Sequence, residues 1–368
     1  MRSLNFLVSI TKGIDSPSDS IPVYHPNMLD IPLRVGVSGA TSIAKGVAFQ
    51  VAATPGMNLA WQSKGVLEDL KTKLKEEPVD VFIEACGEIA TAAEASLLAI
   101  KNHAHVVLTD ARVDVTVGQT LQTEAHQNGI IVTSDAGTPH GVLATMIQEA
   151  HIMGFETVQA GQASPLSEPT QVLYEMAALA NGFGFLLPEG GMMGPKIASL
   201  DETINAFNLE SYGEIPRIDY VRGPKPGGGL YLIVKPKFDL PVEQLTHLRG
   251  CQLGNGPYYL LRRDCHLGHL ETPKAILGAA AGQPILSPSY PTCDVYASLE
   301  EKLYSGTELK QHHLEAQLCP IDKNRIPLAV LEEGAALTAN LDRGQDITFE
   351  NTRLVETECP LKIRNNFQ

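Results

Sequence analysis

The stretch Leu33-Arg-Val-Gly-Val-Ser-Gly-Ala-Thr-Ser-Ile-Ala-Lys-Gly46 has the residue types and spacing to grip a phosphate. A short β-branched run reaches Gly36 and Gly39, turns through Ala40, Thr41, Ser42 and Ile43, and continues into a helix over 44–53. In such a strand–turn–helix, backbone N–H groups at the helix N-terminus cradle a pyrophosphate. A full dinucleotide fingerprint places a second glycine where this chain has Thr41, while Ala44 suits the third position. Thr41 thus brings a β-branched side chain to the point where backbone and phosphate should approach most closely. A βα unit holding no nucleotide is the competing reading.

Other residues offer side-chain chemistry. Cys265-His266-Leu-Gly-His269-Leu-Glu271 suits a general acid or a ligand pair, since residues at i and i+3 share a helix face. Packing or interface histidines are the alternative. Arg262 and Arg263 suit a substrate carboxylate or phosphate, or form an ordinary surface pair. Lys196 closes the glycine-rich run Gly190-Gly-Met-Met-Gly-Pro-Lys196 and offers an ammonium. Thr138-Pro139-His140 stands where a strand meets a helix, a ligand-binding edge in α/β proteins, although Thr138 also reads as a helix cap. Ala85, Cys86 and Gly87 follow a strand and would adjoin a nucleotide there, with a buried inert thiol as the other reading of Cys86. His312 and His313 read as exposed loop residues.

The elements that must position these groups are legible from periodicity. Strands are expected at 33–37, 57–62, 79–84, 105–109 and 129–134, with helices over 44–53, 66–77, 89–103 and 115–127 between them. Alternation of helices with almost wholly apolar strands predicts a doubly wound parallel sheet covered on both faces. A helix over 140–153 and a strand over 156–161 come next. The pattern then changes: a mostly apolar helix over 170–181, frequent Gly and Pro, and strands such as 229–235 predict an antiparallel sheet in a separate α+β domain. A helix of small residues over 272–282 is expected to pack back onto the first domain. Beyond a boundary near 284–291, the segments 294–309 and 326–349 each read as a strand, a polar stretch, then a glycine before another strand. They predict a small β-rich module. The boundaries are therefore an arm over 1–30 and domains over 31–150, 151–290 and 291–368.

Bulk properties narrow the class. With 368 residues, 43% of them hydrophobic, 19% charged, and a formal charge of −14, this is the composition of a water-soluble globular chain of two or three domains. Without a basic stripe, no nucleic-acid partner is expected. The six cysteines include no Cys-x-x-Cys pair, and no metal is expected. No stretch reads as a signal peptide or membrane span, so a cytoplasmic protein with a small-molecule substrate is expected.

Taken together, the glycine turn, Val81-Phe-Ile-Glu-Ala-Cys-Gly87 and the Leu299…Gly306-Thr-Glu-Leu309 pattern resemble one family. It is the homoserine-dehydrogenase-like NAD(P)-dependent oxidoreductases with a C-terminal SAF (β-clip) domain, including the 1-deoxyxylulose-5-phosphate reductoisomerase-like group. The resemblance covers about residues 31–356, and takes in 106–115, 170–181 and 265–271. It implies a Rossmann-type first domain binding NAD or NADP and a middle domain binding a small polar hydroxy or oxo compound. It also implies a homo-oligomer joined through the middle sheet. Lysines near the domain junction would steady the charge that develops during hydride transfer. This chain departs there: Gln162 follows Gly161, and Gln171 follows Thr170, where the family has lysines. His266 matches the family's histidine and, with Lys196, would move the proton, while Gln162 would position substrate. Lys64, with no acidic residue beside it in Trp61-Gln-Ser-Lys64, suits a ribose 2′-phosphate. The missing lysines leave a second reading, a divergent relative that binds a nucleotide or metabolite without redox chemistry.

Overall fold

The computed structural model describes residues 31–164, 170–224 and 228–354, so the arm expected over 1–30 lies outside the described residues. The chain divides into two compact units. The first holds the described residues up to Asp110, with Thr120–Gly137 and Leu267–Ser287. The second holds Ala111–Gln119, Thr138–His266 and the described residues from Pro288 onward.

In the first unit, β1 (Leu33–Ser38), α1 (Ser42–Ala53), β2 (Met57–Ser63), α2 (Leu67–Glu76), β3 (Val81–Glu84), α3 (Ile89–Lys101) and β4 (His105–Leu108) alternate strictly. They are followed by α4 (Ala111–Asn128) and β5 (Val132–Ser134). The five strands form a parallel sheet in the order β2-β1-β3-β4-β5. Val35, Val37, Val81, Phe82, Ile83, Val106, Val107 and Val132 are fully buried, as strands covered by helices on both faces require. This is a Rossmann-like α/β sheet whose order reverses between β1 and β3.

Helix α5 (Pro139–Ile152) leads into β6 (Phe155–Ser164) of the second unit, followed by α6 (Thr170–Phe183), β7 (Arg217–Arg222) and β8 (Leu230–Pro236). Helix α7 (Val242–Gly250) and β9 (Tyr259–Arg263) complete a separate four-stranded sheet, ordered β7-β6-β8-β9. The expected antiparallel sheet is mixed instead: β6 pairs with β8 antiparallel but with β7 parallel. The crossover through α6 explains this, because a strand that returns after a helix can enter alongside its predecessor in the same direction. Helix α8 (Thr272–Ala280) clusters with the first unit and packs on β4 and β5.

The C-terminal part of the second unit contains β10 (Cys293–Leu299), β11 (Leu314–Pro320), α9 (Leu328–Leu331), β12 (Ala335–Leu337) and β13 (Thr352–Leu354). Two antiparallel pairs form, β10 with β11 and β12 with β13. The strand expected at the start of 326–349 is the single helical turn α9, set by Pro327 at its cap. Among the described residues no helix is long and apolar enough to cross a membrane.

Candidate functional site

The carboxyl ends of β1, β2 and β3 meet through glycines. Gly39 follows β1 with φ +113°, and its N–H donates to Ser63 O at 3.0 Å. A Cβ on Gly39 would stand 2.0 Å from Ala85 O, so no side chain fits. Gly65, beyond β2, has φ +85°, and a Cβ there would touch the Gly39 Cα and Cys86 Sγ at 3.4 Å. Gly87, beyond β3, has φ +84° and faces Thr41 Cγ2. Three bare backbones thus line the point where the strand order reverses, which is where doubly wound sheets bind ligands.

Thr41 is the cap of α1. Its hydroxyl accepts from Ala44 N at 3.0 Å and donates to Ala85 O at 3.3 Å, tying the turn to the end of β3. The β-branched residue that breaks the fingerprint therefore turns its polar atom inward. Ser42 and Ile43, both exposed, hold the first-turn amides that have no intrahelical acceptor. Ala40 is exposed beside them. Gly36 lies apart from this group, inside β1, where its missing Cβ makes room for the Trp61 indole. Lys64 is exposed just beyond β2, while Asp69 accepts from the Ser63 hydroxyl at 2.7 Å. The Cys86 thiol donates to Ser38 Oγ at 3.2 Å, and Cys86 N donates to Glu84 Oε1 at 2.7 Å. Burial, then the Glu84 carboxylate, pushes that thiol up to about 12, so it stays protonated near neutrality.

In the second unit a buried acid forms the centre of a polar group. Glu175 is the only charged residue of α6, set among buried apolar neighbours. Gln162 Nε2 donates to its Oε2 at 2.7 Å and Gln171 Nε2 to its Oε1 at 3.1 Å. The two glutamines that stand where the resemblance expects lysines thus share one carboxylate. Glu175 was not singled out from the sequence; a lone acid inside an apolar helical run was the available signal.

The remaining candidates separate. Lys196 is exposed, in a segment bridged to Arg222 on β7. The loop before it is held by the buried Asp219, whose Oδ1 accepts from Met193 N at 3.0 Å and Gly194 N at 3.1 Å. Arg262 is matched by acids, with Asp201 at 2.9 Å and Asp264 at 2.8 Å. His266 is exposed in irregular chain, and His269 lies in a 3₁₀ turn opened by Gly268 at φ +58°. They share no helix face, because a left-handed glycine between them breaks the helical register. Thr138 caps α5, its hydroxyl accepting from Gly141 N at 3.2 Å, as the reading of a helix cap expects. His140 is buried, with Nε2 3.4 Å from Asp114 Oδ2. His312 and His313 pack edge to face on the surface.

Residues 159–272 match the family model of oxidoreductase DRL, catalytic domain. In its general class the matched domain is an oxidoreductase. It contains Gln162, Gln171, Glu175, Lys196 and His266. None of the curated protein sequences matches this chain. Similar solved structures include a probable dehydrogenase from Thermotoga maritima, 15% identical at a TM-score of 0.42, covering 68% of this chain and 90% of that one. Another is dihydrodipicolinate reductase from Paenisporosarcina sp. TG-14 with dipicolinate bound, 14% identical at 0.38, covering 68% and 94%. A third is GenD2 from gentamicin A biosynthesis in complex with NAD, 14% identical at 0.39, covering 73% and 92%. Likeness at this level carries no conclusion about the chemistry of this chain.

Proposed function

We propose that the protein is an NAD(P)-dependent oxidoreductase acting on a small polar hydroxy or oxo compound, a divergent homoserine-dehydrogenase-like member with a C-terminal SAF module. The observation that carries the cofactor reading is the convergence of Gly39, Gly65 and Gly87, all at positive φ, where the strand order reverses beside the exposed first turn of α1. Gly39, Gly65 and Gly87 with the Ser42 and Ile43 amides fit a dinucleotide's pyrophosphate, and Ala85 and Cys86 border the same cradle. Lys64 would hold a 2′-phosphate. When bound, the dinucleotide supplies the hydride acceptor or donor.

In the second unit, Gln162 and Glu175 would bind and orient the substrate's polar groups. Neither glutamine can release a proton, so His266 or Lys196 supplies it in this reading. The same neutral glutamines favour a second reading, a relative that binds metabolite or nucleotide without redox chemistry. Association into a homodimer or larger is part of the first reading, checked by sedimentation.

Titration with NADPH and NADH, followed by Trp61 fluorescence, tests the cofactor. Saturable binding with NADPH preferred is expected, and Lys64→Glu should reduce that preference about tenfold. No binding of either dinucleotide sinks the redox reading and leaves the second. Once a substrate is found, His266→Ala should lower turnover by about 10²-fold. Unchanged turnover moves the proton to Lys196.

A further inference from the structure

A cavity of about 1040 Å³ opens in the second unit beside Glu156, Thr157 and Val158 at the start of β6, whereas Gln162 lies toward that strand's other end. Four aromatic rings line it. Phe183 and Phe185 stack with centroids 5.4 Å apart and planes 26° apart, and Tyr212 and Tyr258 complete the walls. A concavity of this size, with aromatic walls and charged side chains in its lining, suits a small organic ligand.

The charges at its mouth are unevenly matched. Lys235 pairs with Glu156 at 3.4 Å. Lys237 instead donates to an imidazole, from Nζ to His151 Nδ1 at 3.0 Å. Among the described residues no carboxylate comes within ion-pair distance of Lys237; Glu214, the other acid of the lining, stays beyond it. An ammonium and the imidazole it donates to thus stand together at the edge of the cavity, without a carboxylate on Lys237.

We propose that this cavity binds a small aromatic anion, distinct from any substrate held near Gln162. The ring packs against Phe183, Phe185, Tyr212 and Tyr258, where offset and edge-on contacts favour aromatic partners. The carboxylate, sulfonate or phosphate takes charge-assisted hydrogen bonds from Lys237 and His151. Apolar walls on one side strengthen that attraction relative to open water.

Anilinonaphthalene sulfonate tests the site on the full-length protein, with phenylnaphthylamine as a related uncharged probe. Saturable one-to-one binding of the sulfonate is expected. Gly213 lines the cavity, and a Cβ there meets nothing within 4 Å, so Gly213→Trp brings an indole in at little cost to the backbone. That variant should weaken both probes about tenfold or more. Lys237→Glu should weaken the sulfonate about tenfold and leave the uncharged probe unchanged. Dinucleotide binding read by titration calorimetry, which the added indole does not disturb, should be unaltered in both variants, and this separates the site from the proposed cofactor cradle. Unsaturable binding, or binding indifferent to Gly213→Trp, overturns the proposal. Loss with Gly213→Trp but not with Lys237→Glu overturns the anion assignment. A self-association that Gly213→Trp abolishes, without probe binding, gives the face to a second copy and overturns the proposal too.

Discussion

At the β1–α1 turn side chains are missing or turned inward: Gly39 has none, and Thr41 commits its hydroxyl to Ala44 N and Ala85 O. Around Glu175 the side chains make the site, with one carboxylate held by Gln162 and Gln171 across a strand and a helix. The first region is therefore sensitive to atoms added and the second to atoms removed. A backbone cradle tolerates loss of a hydroxyl better than gain of a methyl. A buried polar group behaves the other way, since each donor left without its acceptor carries a desolvation cost.

The sharpest way to break this contrast is Gly39→Val. Its Cβ meets Ala85 O at 2.0 Å, and φ +113° is a region side chains rarely adopt. We expect a loss of about 3 kcal/mol or more in urea unfolding and no measurable dinucleotide binding. A well-folded, dinucleotide-binding Gly39→Val would end the backbone reading. Next in size, Glu175→Ala strips two amides of their acceptor and should cost about 2 kcal/mol, with dinucleotide titration of Trp61 unaltered. Gln162→Ala should cost less, since Glu175 keeps Gln171. Equal losses would show that the two donors act as one network.

Thr41→Ala should cost about 1 kcal/mol through the lost cap, and Thr41→Ser should recover most of it. Full loss of dinucleotide binding in Thr41→Ala would mean that the threonine itself holds the ligand. The smallest effect is expected at Cys86. Its thiol rises from 9.0 to about 12 in the folded chain. The folded value lies above the unfolded one, so the stability it contributes is complete below about pH 9 and is lost as pH climbs toward 12. Unfolding from pH 8 to 11 should therefore fall more steeply in the wild type than in Cys86→Ala. At pH 8, iodoacetamide should mark the exposed Cys251 and Cys265 well before Cys86, as peptide mass spectrometry would read.

The parallel sheet was legible because apolar runs such as 81–83 and 106–108 leave no solvent-facing alternation, and only a sheet covered on both faces buries them. The glycine turn after β1 was legible for the same local reason, whereas Thr41, read as a side chain intruding on the phosphate, is in the structure the cap of α1. Gly65 was not, because its role comes from meeting Gly39 and Cys86 across the sheet edge. The His266 and His269 pairing failed when Gly268 turned left-handed between them, which spacing alone does not reveal.

By itself, then, the sequence determined the alternation of strands and helices, the inward face of each, and the glycine turn after β1. Those properties depend on residues within a few positions of one another. Tertiary structure alone decided that β7 runs parallel to β6, that Gly36 serves the Trp61 ring, and that Gln162 and Gln171 converge on Glu175. Each of these is a meeting of distant segments, set by which surfaces pack together, and side-chain hydrogen bonds follow the packing rather than the order of residues along the chain.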